Sequence, residues 1–144
     1  MTPTTTPTSL RFTPQRRAIY DVLCESEDHP TAGDILERVQ RRVPGIGAAT
    51  VYRTLAWLVQ SGQAAELRLG EADATRYDRS VHRHDHLVCV QCGQVEDVHV
   101  PLDHKLLDEL AGPTSFQPSG YDVQIHGRCA RCAAANAHNV GGIA

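Results

Sequence analysis

Residues 82–93, HRHDHLVCVQCG, hold three histidines, one aspartate and two cysteines in a segment that leads along a strand into a CxxC turn. Alternation along a strand puts His84 and His86 on the same face, where two imidazoles can bind one ion. Cys89 and Cys92 can direct their thiolates at another ion. The segment therefore predicts two metal sites that share a strand, one with nitrogen and oxygen donors and one with sulfur donors.

The cysteine spacing predicts a structural zinc site. A second CxxC pair, Cys129 and Cys132, completes the four thiolates of the tetrahedral sphere that zinc prefers. A pair of disulfides or a thioredoxin-like redox centre is the alternative, and disulfides are disfavoured in a cytosolic chain. Four cysteines leave no open coordination position, so this zinc is expected to support folding and not catalysis.

Further histidines and carboxylates surround the same strand. Asp78 precedes it, and Asp97, His99 and His104 follow the first CxxC pair. Imidazoles and carboxylates suit Fe(II), Mn(II) or Zn(II), because they are harder donors than thiolate. One such histidine alone would be an ordinary solvated residue, and it is their density that favours a second metal site.

The first half of the chain has the pattern of three helices and a hairpin. Thr13-Pro14 and a Thr31–Asp34 capping box mark two helix starts. The helices are expected over about residues 14–26, 32–43 and 48–61. The strand-forming segments AAELRL and ATRYD flank the turn-forming GEAD. This order predicts a winged helix-turn-helix whose third helix enters the major groove, and a helical bundle with a β-ribbon is the alternative.

The second half has the pattern of a small α/β domain. HLVCV, VEDVHV and YDVQIH are expected strands, and a helix is expected near residues 103–111. The chain is thus predicted to be α+β. Its expected parts are a disordered tail, a winged-helix domain, an α/β domain and a flexible tail, over residues 1–10, 11–79, 80–133 and 134–144.

Charge and hydropathy limit the partners of the protein. The net charge of −3 does not by itself favour nucleic acid, but residues 1–63 carry a small positive surplus, which permits a DNA-facing first half. No apolar run approaches the ~18 to 20 residues that cross a bilayer. The Thr- and Pro-rich start lacks the pattern of a signal peptide. We therefore expect a cytoplasmic protein with no membrane partner.

The chain resembles the ferric uptake regulator family of metal-dependent repressors over nearly all of residues 10–132. The motifs TPQR, HPTA, ATVYRTL, HDHLVCVQCG and GRCARC carry the resemblance. It implies a homodimer and not an enzyme, with a C-terminal α/β dimerisation domain and a winged helix that binds a palindromic, AT-rich double-stranded DNA operator. It also implies that four residues contact DNA, namely Arg11, Thr50, Tyr52 and Arg53.

The same resemblance implies a regulatory metal site that joins the two domains and takes Mn(II) or Fe(II) as corepressor. Its five ligands would be His29, Asp78, His84, His86 and Asp97. Binding is expected to favour the DNA-competent dimer. Asp97 is typical of the peroxide-sensing branch, in which iron-dependent oxidation of the residues matching His29 and His84 releases DNA. The HDH triplet favours the iron-uptake branch, so peroxide response and metal homeostasis both stay open.

The chain departs from the family at a further metal site. The positions of its usual ligands hold Arg83, Asp85, His104 and Tyr121. Two or three donors are therefore lost or altered, and we expect no metal there.

Three other functions fit part of the same pattern and are alternatives to a Mn(II)- or Fe(II)-dependent repressor. A zinc-uptake regulator is favoured by the high place of zinc in the affinity order, although no cysteine lies between Asp78 and His86. A zinc metallohydrolase could use His84 and His86, but the chain has no HExxH, nucleophile elbow or phosphate-binding loop. A zinc-binding adaptor without DNA affinity predicts that Arg53 is dispensable at an operator.

Overall fold

The computed structural model describes residues 11–70 and 74–137, and the chain divides into two compact units between Val81 and His82. Within the described residues, the N-terminal unit contains three helices and a two-stranded sheet, and the C-terminal unit contains a three-stranded sheet and two α-helices. The α+β prediction is confirmed. The predicted tail at residues 1–10 lies outside the described residues. No helix in the described part of the chain is long and apolar enough to span a membrane.

The N-terminal helices pack around one apolar core. They are α1 Pro14–Glu25, α2 Ala32–Gln40 and α3 Ala48–Gln60. Their fully buried side chains include Ile19, Leu23, Ile35, Val39, Val51, Leu55 and Leu58. Each such residue contributes roughly 1.5–3 kcal/mol relative to an exposed position. On α3, Val59 is only half-buried, whereas Thr54 is buried.

Capping determines where α2 begins. The Thr31 amide donates to Asp34 Oδ2 at 2.9 Å, and the Asp34 amide donates to Thr31 Oγ1 at 3.2 Å, which confirms the predicted capping box. The helix ends at Gln40, earlier than the predicted end near Val43. Pro44 explains the difference, because a residue that precedes proline is disfavoured in the helical conformation.

The predicted hairpin is present and contacts the turn before α2. Strands β1 Ala65–Leu67 and β2 Arg76–Asp78 pair antiparallel. The Tyr77 amide donates to the Pro30 carbonyl at 2.9 Å. The hairpin is therefore tied to the loop that carries His29. Residues 71–73, in the predicted turn, lie outside the described residues.

The C-terminal unit is built on a mixed sheet. Its strands are β3 Asp85–Cys89, β4 Val95–Val98 and β5 Gln124–Gly127, in the order β4-β3-β5. The central strand β3 pairs antiparallel with β4 and parallel with β5. The helix α4 spans His104–Ala111, as predicted, and a short 3-10 helix follows at Gly112–Thr114.

A second helix, α5, corrects the predicted C-terminal tail. It spans Ala130–Ala137, so residues 134–137 are helical and not part of a flexible tail. Alanine has the highest helix propensity, and five of the eight residues of this helix are alanine. The rest of the predicted tail, residues 138–144, lies outside the described residues.

The apolar core of the C-terminal unit is small. Among its described residues, the buried apolar side chains are Val88, Cys89, Val95 and Cys132, and α4 buries none. A unit of this size with so few buried side chains needs a cross-link. Two of the four are cysteines of the predicted zinc site.

Candidate metal centres and nucleic-acid interface

The four cysteines of the two CxxC pairs converge. Cys89 ends β3, Cys92 lies in the turn that follows, and Cys129 and Cys132 lie immediately before and within α5. Their sulfur atoms all lie within 4.8 Å of one another, with Cys92 Sγ 3.8 Å from Cys129 Sγ. Gly93, with φ of 75°, supplies the left-handed residue that the tight turn needs. The arrangement fits a tetrahedral zinc ion, as the spacing predicts.

The thiols of this group affect each other's ionisation. Amide hydrogen bonds, first from Cys129 and then from Cys92, lower the pKa of Cys89 to about 6. The Cys129 amide lies 3.3 Å from Cys89 Sγ. Burial, followed by hydrogen bonds with the neighbouring thiols, raises the pKa of Cys132 to about 12. Cys89 therefore ionises readily, whereas Cys132 resists ionisation unless a cation compensates its negative charge. A zinc ion bound by four thiolates would provide that compensation.

A second donor group lies at the start of β3 and on β4 in the C-terminal unit. His84 Nε2 and His86 Nε2 lie 3.3 Å and 3.5 Å from the same atom, Asp97 Oδ1. The two imidazole centroids are 4.6 Å apart, and His86 is directly opposite Asp97 in the antiparallel ladder. His84 Nδ1 lies 2.8 Å from the carbonyl oxygen of His82. If Nδ1 carries the proton, that bond leaves Nε2 as the metal donor, as in many metal-binding histidines.

A third donor group lies in the N-terminal unit. His29 Nε2 is 3.2 Å from Asp78 Oδ2, and the histidine is only 6% exposed. His29 has a φ of 51°, a left-handed conformation that is uncommon for residues other than glycine, although histidine adopts it more often than most. Arg76 Nη1 donates to the His29 carbonyl at 3.2 Å. Strand β2 therefore supplies both the carboxylate beside His29 and a contact that holds its backbone.

The predicted regulatory ligands thus fall into two groups, one in each unit. The structure brings His29 to Asp78, and it brings His84 and His86 to Asp97. Both groups offer only imidazole nitrogen and carboxylate oxygen, and these donors suit first-row divalent ions such as Mn(II), Fe(II) and Zn(II). His99 and His104, also considered from the sequence, are exposed.

A further charged group occupies the opposite face of β3. Asp85 is fully buried, and Arg83 Nη2 lies 2.7 Å from its Oδ1 and 2.9 Å from its Oδ2. The guanidinium centre lies 3.5 Å from the centroid of the Tyr121 ring. Burial raises the pKa of Asp85, but the amides of Val100 and Val123 together with Arg83 outweigh it and hold the pKa below its usual value. The carboxylate is therefore ionised at neutral pH.

The predicted recognition helix α3 separates buried and exposed residues. Tyr52 is 55% exposed, Arg53 is exposed and Thr50 is half-buried, whereas Val51 and Leu55 are fully buried. Arg11 is exposed immediately before α1. These positions make the four residues available to DNA, and their contacts with it stay a prediction.

One group near this surface was not identified from the sequence. Phe12 packs edge-on against Trp57 of α3 with centroids 5.2 Å apart, and Arg16 lies 4.3 Å from the Trp57 ring. Arg16 Nη1 also donates to the Arg11 carbonyl at 3.2 Å. The segment that carries Arg11 is thereby attached to α3. The only signal was that the single tryptophan of the chain lies on a helix with an otherwise aliphatic core face.

Comparisons with known proteins agree with this geometry. The sequence pattern of the ferric uptake regulator family matches residues 7–126. The peroxide operon regulator of Bacillus subtilis is 36% identical over 131 residues, which cover 91% of this chain and 90% of that protein. The Campylobacter jejuni peroxide stress regulator is 28% identical, with a TM-score of 0.65 over 83% of this chain and 89% of that one. The iron-containing ferric uptake regulator of Francisella tularensis shares the fold at 22% identity, with a TM-score of 0.76 over 89% of this chain and 98% of that one.

Proposed function

The chain belongs to the ferric uptake regulator family, and we propose that it is a metal-dependent transcriptional repressor that binds operator DNA as a homodimer. The observation that carries this proposal is the convergence of His84, His86 and Asp97, at the start of β3 and on β4, beside a separate cysteine group that includes Cys89 at the end of β3. One strand thereby serves a zinc ion that supports the fold and an exchangeable ion that regulates it. The family match favours such a regulator over a metallohydrolase.

We infer that the exchangeable ion is shared between the two units. His29 and Asp78 would join His84, His86 and Asp97 around one Mn(II) or Fe(II) ion. Three neutral imidazoles and two carboxylates leave a divalent ion formally neutral, which favours binding at a partly buried site. Asp78 and His84 lie close together in the chain, on either side of the boundary between the units. Both N-terminal ligands are attached to the hairpin, Asp78 within β2 and His29 through the contact of its carbonyl with Arg76, so occupancy would bias how the DNA-binding unit is held.

The signal is proposed to be peroxide. The relative from Bacillus subtilis is named as a peroxide operon regulator, and the Campylobacter jejuni protein as a peroxide stress regulator. The resemblance implies that Asp97 belongs to the peroxide-sensing type of site and that iron-dependent oxidation of His29 or His84 ends repression. Manganese in the same site would support DNA binding without that sensitivity.

A DNA-binding experiment tests the proposal. Zinc-loaded protein is titrated onto a palindromic, AT-rich duplex with Mn(II), Fe(II) or Zn(II), before and after hydrogen peroxide. We expect Mn(II)-supported binding to survive peroxide and Fe(II)-supported binding to collapse. His86→Ala should abolish both, whereas Lys105→Met, an exposed change in the same unit, should alter neither. Equal survival with both metals would rule out the peroxide signal, and binding that needs no added metal would rule out the corepressor.

The zinc-uptake regulator is the second candidate, because zinc lies above iron and manganese in the affinity order. In the same titration it predicts DNA binding at Zn(II) concentrations at which Mn(II) and Fe(II) have no effect. A peroxide-insensitive complex formed only with Zn(II) would favour it.

A further inference from the structure

The buried carboxylate of Asp85 is saturated with hydrogen bonds from the protein itself. Oδ1 accepts from the Val123 amide at 2.8 Å and from Arg83 Nη2 at 2.7 Å. Oδ2 accepts from the Val100 amide at 2.8 Å and from the same Arg83 nitrogen at 2.9 Å. An external cation could bind Asp85 only by displacing these donors. The guanidinium already supplies the charge that a buried carboxylate needs.

Arg83 is in turn held in place by Tyr121. Its Nε donates to the Tyr121 carbonyl at 2.6 Å, and its guanidinium stacks on the ring at 3.5 Å. The Tyr121 hydroxyl donates to the Val100 carbonyl and accepts from the Leu102 amide, both at 3.0 Å. A planar guanidinium can make the stacked and hydrogen-bonded contacts together, which a lysine ammonium cannot.

These contacts join the start of β3 to two other segments of the C-terminal unit. Asp85 connects the strand to the residues that follow β4, at Val100, and to those that precede β5, at Val123. His84 and His86 are the two neighbours of Asp85 in the chain, and their side chains lie on the other face of the strand. The network therefore holds the backbone from which both imidazoles project.

We propose that Arg83 is a permanent internal cation for Asp85 and a positioning residue for the regulatory metal site. The network orders His84 and His86 before any regulatory ion binds, and it makes Asp85 inaccessible to a second ion. The C-terminal unit then takes one exchangeable divalent ion in addition to zinc. This inference rests on the proposed function in that it assigns the regulatory ion to the group of His84, His86 and Asp97.

Metal titration of the full chain tests the proposal. Zinc-loaded protein is titrated with Mn(II), and free Mn(II) is followed by electron paramagnetic resonance. The wild type should bind one Mn(II) per chain. Arg83→Met should weaken that binding measurably, but by less than the roughly 10- to 100-fold that loss of a group hydrogen-bonded directly to a ligand costs, because Arg83 acts through Asp85 and the strand backbone. Arg83→Lys should recover part of the loss, because it keeps the charge but not the stacked plane. Lys105→Met, which removes an exposed cation of the same unit, should match the wild type.

Two results would overturn the proposal. One is an Arg83→Met protein that retains its zinc and binds Mn(II) as tightly as the wild type. The other is a second Mn(II) equivalent in the wild type that Asp85→Asn removes. If Arg83→Met does not fold, the comparison of Arg83→Lys with the wild type decides the question, since equal affinity would exclude a positioning role for the planar group.

Amide hydrogen exchange keeps this proposal distinct from the proposed function. In zinc-loaded, manganese-free protein, the amides of Val100 and Val123 should exchange slowly in the wild type and in Lys105→Met, and faster in Arg83→Met. Equal exchange in all three would overturn the network whatever the metal does. Mn(II) binding that is absent, or that His86→Ala leaves unchanged, would instead overturn the assignment of the regulatory ion.

Discussion

Alanine substitutions on α3 should separate DNA recognition from stability. Leu55 is fully buried, so Leu55→Ala should cost about 2–5 kcal/mol of unfolding free energy. In a unit of this size that lowers the melting temperature by roughly 10 °C or more. Tyr52 is 55% exposed, so Tyr52→Ala should change stability by no more than about 0.5 kcal/mol. If Tyr52 contacts a base, Tyr52→Ala should cost about 1–3 kcal/mol of binding free energy, which weakens operator affinity about 5- to 150-fold.

The assay combines thermal unfolding with fluorescence anisotropy on an operator duplex in the presence of Mn(II). Tyr52→Phe is the matched control, because it keeps the ring that would contact a thymine methyl group and should bind nearly as well as the wild type. Arg53→Ala should weaken binding and reduce the slope of log affinity against log salt by about 1 if it contacts a phosphate. Wild-type affinity for Tyr52→Ala would refute the assignment of this surface to DNA. If Tyr52→Ala lowered the melting temperature as well as the operator affinity, Tyr52 would support the fold, and a role confined to DNA contact would be refuted.

Three further predictions concern the metal sites and α2. Removing zinc with a chelator, or changing Cys92 to Ser, should abolish much of the ordered structure of the C-terminal unit, because structural zinc contributes about 10 kcal/mol or more; an unchanged circular dichroism spectrum at verified zinc loss would contradict this. Asp97→Asn should lower Mn(II) affinity at least about tenfold without changing zinc content, since Asp97 Oδ1 faces both His84 and His86; unaltered Mn(II) affinity would exclude Asp97 as a ligand. Hydrogen bonds from the amide and then the hydroxyl of Thr31 lower the pKa of Asp34, so its contribution to stability is present above the ordinary carboxyl pKa of about 3.9 and is lost as the pH falls through the lower folded value. The melting temperature of Asp34→Asn should therefore lie below that of the wild type at pH 7 and converge with it in acid, and a constant difference across that range would disprove the linkage.

Much of this protein follows from signals that act over a few residues. Thr13 and the Thr31–Asp34 capping box are satisfied by neighbours in the chain, and each CxxC turn brings two thiols together locally, so the helix starts and each half of the sulfur site could be predicted from spacing. The alternation of His84 and His86 likewise predicts a shared face on any strand. The predicted end of α2 was too late, and α5 was not predicted, because proline shifts helix ends and an alanine-rich segment near a chain terminus gives only a weak helix signal.

Only the tertiary structure decided which distant groups meet. His29 faces Asp78 because His29 has a left-handed backbone conformation and the loop before α2 is hydrogen-bonded to β2. This arrangement depends on contacts between segments that are far apart in the chain. The same holds for Arg83, for which the sequence indicated only a lost metal ligand and not the contacts with Asp85 and the Tyr121 ring that make an internal ion pair. Local sequence determines the donors that this chain offers, and long-range backbone pairing determines which of them a metal can reach and which the protein has already bound.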